Sequence, residues 1–432
     1  MSGRRGVLVG PARVSLRGVL LGAFVAGLGL SITLAESALA CLTLLWLWRL
    51  RDPAVRASQP WPLGAPVVAL GAVTLISALL SGHPIQSVLA AKGFLLTAGL
   101  YITADAVRDR PTADRLLLGL TVAATVAAVV GLLQVGLCSP EAMHSGRPRW
   151  VYHRCDRAHG FFSIYMTLAG VLSLVLLATL PRLLPPGPAW RRLGAPWLVM
   201  LWGLVVTYTR GAWLGFAGGV LTVAASVRRG RWVLVGGLVV LAAGTLVAPY
   251  ELRHRVLSMT DPQEAGLRER IYMWRSGLAM WRERPVLGVG PGGVKRDYSR
   301  YAMEEASKKR TGHVHDTPLQ ILVERGILGL AAWLWLWVAF YAHAWRRLRE
   351  LGAEAGARAI VLGAVAAITG FLISGLTEYN FGDSEVVMLA WVIVALAWVR
   401  DPEPEGARNR GRVPASTSRT ARSTTGPSRS TP

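Results

Sequence analysis

Residues 116–137 read LLLGLTVAATVAAVVGLLQVGL and contain no charged side chain. A helix needs roughly 20 apolar residues to cross the hydrocarbon core of a bilayer, so this stretch is long enough to span it. Inside lipid the backbone must satisfy its own hydrogen bonds, and no alternating strand pattern is visible in the chain. The sequence therefore predicts an all-α fold that passes through a membrane.

The same apolar pattern recurs along the whole chain, which has 432 residues, 52 % of them apolar, and a mean hydropathy of +0.40. Twelve apolar stretches can be counted, at about 18–35, 37–48, 63–80, 87–104, 116–137, 159–180, 195–209, 211–227, 232–250, 326–343, 359–377 and 386–399. Several are shorter than a full span and require tilting or local thinning of the bilayer. We expect a polytopic transmembrane domain of about 12 helices over residues 1–400.

The formal charge of +22 would suit a nucleic-acid-binding protein, but the basic residues follow the topology instead. Alternate loops are rich in arginine, whereas the short loops near 31–35, 81–86 and 376–385 contain no lysine or arginine. Cytoplasmic loops carry the excess of basic residues in membrane proteins. The sequence thus predicts a protein of the bacterial inner membrane, surrounded by lipids, with both termini in the cytoplasm and no nucleic-acid partner. Residues 401–432, rich in Pro, Ser, Thr, Gly and Arg, are expected to form a disordered basic cytoplasmic tail.

Two predicted periplasmic segments, about 136–157 and 250–317, carry basic residues against this rule. Long loops are partly exempt from it, which is one explanation, and an anionic ligand at the outer face is the other. The second segment is the one large periplasmic loop, and its length makes an independent core marginal, so it should pack against the helices. In the first segment, Cys138 and Cys155 form a possible disulfide because the periplasm is oxidising.

The segment 312–316 reads GHVHD and places two histidines just before a predicted span. The unperturbed pKa of an imidazole, about 6.5, suits removal of a proton from a hydroxyl group near neutral pH, so His315 is the candidate general base. Histidines that merely lie at the headgroup level are the structural alternative. No metal site is expected, because the His-x-His pair has no third His or Cys nearby. Asp316, Gln320 and Glu324 recur at four-residue spacing and would share one helix face.

Arg210 interrupts a long apolar region at the outer end of two short predicted spans. A guanidinium near lipid is costly unless it is paired, so it should face a cavity or an anion, although a snorkelling arginine at a helix end is the alternative. The planar fork of arginine matches phosphate oxygens, so Arg210 and Arg270 together would suit a diphosphate. Arg157 and Glu378 belong to the same predicted face, as a further cation and a counter-charge.

Together these motifs resemble the O-antigen ligase and polymerase family. The mark of that family is a histidine beside a polar residue, followed after nine residues by Gly-x-x-Gly, and His315 and Asp316 precede Gly326 and Gly329 at that spacing. The resemblance covers roughly residues 157–400. Three further motifs carry it: Thr209-Arg210-Gly211, Arg270 with Trp274 ahead of Arg284-Pro285-x-x-Gly288-x-Gly290, and Glu378-x-Asn380-Phe381.

The resemblance implies a membrane-embedded glycosyltransferase whose donor is a glycan on undecaprenyl diphosphate, without a metal, cofactor or nucleotide sugar. By the same resemblance, His315 would activate the acceptor hydroxyl for inverting attack, and Arg210 and Arg270 would bind the diphosphate. The remaining predicted site residues have supporting roles: His313, Asp316, Arg157 and Glu378. Asp316 stands where asparagine is more typical of the family, and a carboxylate there would favour the protonated imidazole.

Three kinds of acceptor remain open within this family, and a protein that receives the oligosaccharide is the third and smallest possibility. A ligase would transfer the glycan to lipid A core, whereas a polymerase would join lipid-linked repeat units, and the spacing after His315 favours the ligase. From another class, a multi-pass transporter is a lesser alternative, but no internal repeat is visible and the charges gather at one face rather than at the midplane. The Gly-rich run at 288–293 is weak evidence for a nucleotide loop, because no strand precedes it.

Overall fold

The computed structural model describes residues 15–137, 157–184, 188–227, 230, 264–352 and 356–400. Within these ranges every regular element is a helix, which confirms the all-α prediction, and the one β contact is an isolated bridge between Asp109 and Arg400. Cys138 and Cys155, the predicted span 232–250 and the predicted tail 401–432 lie outside the described residues.

Fifteen α-helices are defined in the described part of the chain. They are α1 (Leu16–Leu30), α2 (Ile32–Arg49), α3 (Pro53–Ser58), α4 (Gly64–Leu79), α5 (Pro84–Ala90), α6 (Ala98–Ala106), α7 (Arg110–Gly136), α8 (Tyr165–Leu183), α9 (Pro188–Val206), α10 (Arg210–Ser226), α11 (Ala265–Glu283), α12 (Gly293–Asp297), α13 (Thr317–Glu350), α14 (Gly356–Ser374) and α15 (Ser384–Ala395). Four 3-10 segments accompany them at Ala91–Thr97, Tyr298–Arg300, Asn380–Gly382 and Leu396–Trp398.

Six helical segments of the described chain are long and apolar enough to cross a membrane: Ile32–Arg49, Pro84–Ala106, Arg110–Gly136, Tyr165–Leu183, Thr317–Glu350 and Gly356–Ser374. Four shorter apolar helices accompany them: Leu16–Leu30, Gly64–Leu79, Arg192–Val206 and Ser384–Trp398. These segments support a membrane protein with several spans, and the count of twelve stays a prediction.

The centre of the bundle is built on close contacts between backbones. Gly215 and Gly219 of α10 face α14, where a Cβ at Gly215 would overlap the carbonyl oxygen of Gly370 and a Cβ at Gly219 would lie 2.7 Å from that of Ala366. Small residues let the backbones of membrane helices approach closely. Such close packing matters in a bilayer because there is no hydrophobic driving force between the helices. The tight α8, α10 and α14 packing frames one wall of the site described below.

The two ends of the bundle differ in charge, and α13 runs from one to the other. Its last turn reaches the basic end, where Arg347 donates to the carbonyl of Val399, and the amide of Arg400 donates to the carbonyl of Arg108. The first turn of α13 lies at the other end, called here the site end, against the loop before α15. The basic loop that contains Arg108 and the arginine-free loop at 376–385 therefore lie at opposite ends.

Helix α13 is broken at Gly326, which has φ 64° and ψ −168°. Only glycine adopts this conformation readily, and a Cβ there would overlap the backbone of Val286. Residues 285–293, which lead into α12 and include its first residue, run along the break and are called the glycine strap. The predicted span at 326–343 is thus the longer half of a discontinuous helix.

The glycine strap satisfies the backbone groups that the break exposes. The amides of Val289 and Gly290 donate to the carbonyls of Val323 and Glu324 at 2.9 and 3.0 Å. In the other direction, the amide of Ile327 donates to the carbonyl of Pro285 at 2.9 Å. Broken helices persist in membrane proteins only where protein or water replaces the lost bonds. The Gly-rich run therefore has a structural role at the break in α13, which the sequence did not predict.

Candidate functional site

His315 lies at the site end, in the turn that precedes α13. Its backbone φ is +53°, a left-handed conformation that is uncommon for residues other than glycine. Backbone strain of this kind persists only where the surroundings enforce it, and it concentrates at functional sites. The imidazole Nδ1 lies 3.1 Å from Oε2 of Glu378. The two residues are 63 positions apart in the sequence, so the fold brings them together.

Glu378 joins His315 to Arg270. Its Oε2 contacts the imidazole, and its Oε1 accepts a hydrogen bond from the Arg270 guanidinium. The Glu378 side chain is 10 % exposed, so both contacts are shielded from bulk water. As the partner of an arginine the carboxylate accepts hydrogen bonds, which requires the proton on Nδ1 and leaves Nε2 of His315 as the basic nitrogen.

His313 stacks edge-on against His315, with 4.3 Å between the ring centroids. Burial of the ring, and then the neighbouring His315, lowers the pKa of His313 to about 4. His313 is therefore neutral at pH 7 and adds no positive charge beside the candidate base. Its ring also lies 5.8 Å from that of Tyr379, where burial raises the pKa of the phenol to about 12.

The polar face predicted at four-residue spacing holds this turn in place. Gln320 accepts a hydrogen bond from the amide of Val314, between the two histidines, at 2.9 Å. The same side chain donates to Oε1 of Glu324 at 2.9 Å, and that oxygen also accepts from the amide of Gly292 at 2.9 Å. The chain of contacts runs from the glycine strap to the backbone of the histidine turn.

Asp316 caps α13 and does not contact the imidazole in the described contacts. Its Oδ1 accepts from the amide of Leu319 at 2.7 Å, as an N-cap residue does, and burial raises the pKa of its carboxyl group. The carboxylate beside His315 belongs to Glu378 instead. Among the described contacts, the adjacency of Asp316 and His315 in the sequence therefore does not correspond to a contact between their side chains.

Arg210 is the first residue of α10 and forms a forked ion pair with Glu264. Its two terminal nitrogens lie 3.2 and 3.3 Å from the two carboxylate oxygens, and Glu264 also caps α11 by accepting from the amide of Leu267. The next residue, Gly211, leaves room for Thr377 beside Glu378, because a Cβ there would overlap the threonine hydroxyl. The start of α10 and the loop that carries Glu378 are thus adjacent.

Arg157 lies at the edge of this region. Its guanidinium stands 4.3 Å from the centroid of the Tyr165 ring, and its carbonyl accepts from His159 at 2.7 Å. The following amide, that of Ala158, donates to the carbonyl of Val206, just before the start of α10. The described contacts of Arg157 support the local turn and do not reach His315.

A cavity of about 200 Å³ opens beside the histidine turn. It lies among α8, α10, α14, α15 and the loop before α15. Its lining is Ile164, Met166, Gly170, Ser173, Leu174, Thr209, Ala212, His313, Gly370, Phe371, Ser374, Glu378, Tyr379, Asn380, Gly382, Asp383 and Val386. The polar groups on an apolar floor, without a cation in the lining, suit the hydroxyls and the ring face of a sugar.

Three residues that position the site were not singled out as site residues from the sequence: Glu264, Thr317 and Gln320. Thr317 ties the loop to α13, since its hydroxyl lies 2.9 Å from the carbonyl of Glu378 and its amide donates to the carbonyl of Gly375 at 2.7 Å. The Glu378-x-Asn380-Phe381 motif gave a signal for this loop, and the four-residue spacing gave one for Gln320. Glu264 lay in a loop without a motif.

In the described residues no three His, Cys, Asp or Glu side chains converge as a metal site requires.

Comparison with known proteins yields one family. A sequence model of the O-antigen ligase family matches residues 195–334, which run from α9 through the first half of α13 and include Arg210, Arg270 and His315. No curated protein matches the chain. The match confirms the resemblance that the motifs indicated: residues 195–334 are similar to the O-antigen ligase family.

Proposed function

We propose that this protein transfers a glycan from a polyprenyl-diphosphate carrier, undecaprenyl diphosphate, to a hydroxyl of lipid A core. The family match indicates glycosyl transfer of the O-antigen ligase or polymerase type in a membrane. The observation that carries the proposal is the Glu378 carboxylate, which contacts both His315 and Arg270. One anchor therefore holds a base beside a cation, the two groups that the reaction requires.

In the proposed reaction His315 Nε2 takes the proton of the acceptor hydroxyl. The oxygen then attacks the anomeric carbon of the donor from the side opposite to the carrier, so the configuration inverts. The bond between that carbon and the diphosphate oxygen breaks, and the carrier diphosphate leaves with the electron pair. Glu378 stabilises the imidazolium that forms, and general-base assistance of this kind contributes typically ~10²–10⁴-fold to the rate.

Arg210 and Arg270 would stabilise the departing diphosphate. Each guanidinium is held by a carboxylate in the structure, Arg210 by Glu264 and Arg270 by Glu378. These pairs keep two long side chains in one geometry before the donor arrives, which lowers the entropy lost on binding. A diphosphate offers more oxygens than one carboxylate, so it can replace Glu264 on the fork of Arg210.

The charge distribution supports a periplasmic site. Arg108, Arg347 and Arg400 lie together at the end of the bundle opposite to His315, and the loop that carries Glu378, at 376–385, has no lysine or arginine. The segment 264–317 beside the site is basic, but long loops are partly exempt from the positive-inside rule. By the positive-inside rule the basic end faces the cytoplasm. The acceptor and the carrier-linked glycan would then meet His315 at the outer face of the inner membrane.

The test compares the surface glycans of a deletion strain complemented with wild-type protein, His315→Ala or His83→Ala. His83 is an exposed histidine at the site end, and it serves as the matched control. We expect wild type and His83→Ala to place long glycan on lipid A core, whereas His315→Ala leaves it on the lipid carrier. Single repeat units on the core in the deletion strain would identify a polymerase, and full activity of His315→Ala would overturn the mechanism.

A further inference from the structure

At the basic end, three guanidinium groups surround one carboxylate. Oδ2 of Asp105 accepts from Arg17 at 2.5 Å and from Arg49 at 2.9 Å, while Oδ1 accepts from Arg108 at 2.7 Å. The Asp105 side chain is only 3 % exposed, but the three arginine side chains are 29, 30 and 50 % exposed. The carboxylate is therefore inside the cluster, and the guanidinium groups are accessible around it.

The cluster carries an excess of positive charge. Three arginines and one aspartate give a net charge of 3 − 1 = +2, and among the described residues no second acidic side chain pairs with any of the three. A partly buried charge is costly unless a counter-charge accompanies it. Each guanidinium has five N–H donors, and the described hydrogen bonds of Arg17 and Arg49 use one donor each. Donors remain for an anion.

The surroundings of the cluster are apolar on one side. A narrow crevice below Arg17 and Arg49 is lined by Leu42, Leu45, Trp46 and Ile102. Leu16 and Trp48, on the helices that carry the two arginines, are 67 % and 62 % exposed, as expected of surfaces that face lipid. A ligand that reaches this place along α1 and α2 must therefore have an apolar part as well as a negative charge.

Aromatic side chains mark the depth of the cluster in the membrane. Trp46 stacks on Tyr101 with 6.0 Å between the ring centroids, and its other neighbour, Trp61, lies at 5.7 Å. Trp and Tyr concentrate at the headgroup level of a bilayer. The arginine cluster thus lies where the phosphate groups of one leaflet lie.

We propose that Arg17, Arg49 and Arg108 bind the phosphate group of an anionic phospholipid in the leaflet that covers the basic end. The headgroup phosphate accepts from the free N–H groups of the guanidinium fork, and an acyl chain lies on the exposed apolar surface of α1 and α2 that includes Leu16 and Trp48. Basic pockets between membrane helices recognise anionic headgroups in this way. The bound lipid offsets the excess charge and ties α1 and α2 to the turn after α6. This site is separate from the proposed transfer reaction at His315.

The test measures thermal unfolding of the purified full-length protein in a neutral detergent. Dioleoylphosphatidylglycerol, dioleoylphosphatidylcholine or inorganic phosphate is added in separate titrations. We expect a saturable rise in Tm with phosphatidylglycerol alone. Arg49→Gln should lose at least half of that rise, because Asp105 keeps two arginine partners but the anion loses one. Arg115→Gln is the matched control, since Arg115 is exposed and its bonds within the described residues stay in its own turn.

A second measurement uses the wild-type protein and so does not depend on the folding of a variant. Phosphatidylglycerol with a photoreactive diazirine in its headgroup should crosslink to peptides that contain Arg17, Arg49 or Arg108. The proposal is overturned if phosphatidylcholine or inorganic phosphate raises Tm as much, if Arg49→Gln and Arg115→Gln respond alike, or if the crosslinks lie in other basic loops.

Discussion

The carboxylate of Glu378 accepts from the imidazole of His315 at 3.1 Å, and the same carboxylate pairs with Arg270. A base in the turn before α13 and a cation on α11 are thus fixed by one acidic side chain from a third segment. This arrangement makes Glu378 the residue whose neutralisation should disturb the proposed reaction without emptying the site.

Glu378→Gln should lower the rate of glycan transfer by roughly 10–100-fold, because the amide keeps the size of the side chain but no longer stabilises an imidazolium. The rate is measured with a lipid-linked glycan donor and purified acceptor in detergent. Glu378→Asp retains the charge and should keep part of the activity. A Glu378→Gln enzyme as fast as wild type would show that the pairing has no part in the chemistry.

Arg210→Lys should weaken donor binding while the protein remains folded. Lysine keeps the positive charge but lacks the planar fork that pairs with Glu264 and, in our proposal, with the diphosphate. We expect a rise in the KM for the donor of about tenfold, in keeping with the loss of one charge-assisted hydrogen bond. The matched variant Arg282→Lys changes an exposed arginine of α11 and should leave KM as it is. Equal effects of both substitutions would contradict a specific role for Arg210.

Gln320→Leu should lower both stability and activity. The substitution leaves the buried amide of Val314 without its acceptor and Glu324 without one of its donors, and each such loss costs about 1–3 kcal/mol. Thermal unfolding and transfer rate are measured together, with the exposed Gln86→Leu as control. If activity falls only in proportion to the unfolded fraction, Gln320 stabilises the fold without positioning His315.

Gly326→Ala should destabilise the protein by about 2–3 kcal/mol or more. The backbone conformation at this position is readily available to glycine alone, and the added Cβ would overlap the backbone of the glycine strap. Gly22→Ala in α1, where a Cβ has open space, is the control and should not destabilise. Thermal unfolding in detergent gives the comparison. A neutral effect of Gly326→Ala would mean that the break in α13 is not required.

Acidification should destabilise the protein through His313. Its pKa is about 4 in the folded protein and about 6.5 for an unperturbed histidine, so the unfolded chain binds the extra proton first. The contribution of His313 to the free energy of unfolding is full above pH 6.5 and is lost as the pH falls towards 4. The difference between the two pKa values corresponds to about 3 kcal/mol, and solvent screening of the partly exposed ring makes the actual contribution smaller.

The check compares Tm at pH 7.5 and pH 5 for wild type and His313→Gln. The variant cannot take up this proton, so its Tm should fall less between the two pH values. Asp316 has a raised pKa and acts in the opposite direction, but it is present in both proteins and cancels in the comparison. Parallel pH dependence of the two proteins would show that the ring of His313 titrates normally.

The helices were predictable because their signal is local. Apolar runs such as 116–137 and 359–377 coincide with α7 and α14, since a backbone in lipid has few alternatives to a helix. Chain order alone could not reveal the break in α13. The apolar run at 326–343 begins where the break lies, but the helix itself starts nine residues earlier. Its first half ends at the break, where the glycine strap, and not a further helical turn, supplies hydrogen-bond partners to the last carbonyl groups.

Candidate site residues could be named from the sequence, but their side-chain pairings could not. His315 and Arg210 were proposed because polar groups beside apolar runs need a reason, and Arg270 because a second arginine in the outer loop would suit a diphosphate. Their carboxylate partners, Glu378 and Glu264, come from segments 63 and 54 positions away, and such pairings depend on how the helices pack. Asp316 misled for the same reason, because adjacency in sequence does not decide which carboxylate meets an imidazole.

The break at Gly326 also divides the electrical character of α13. An unbroken helix of 34 residues would hold opposite partial charges at ends about 50 Å apart. The break leaves a short dipole over residues 317–325, whose positive end lies next to His315 and whose negative end meets the amides of Val289 and Gly290. The field at the site end is thus set within about 14 Å by local groups. Charge changes at the far, basic end of the helix leave it nearly untouched.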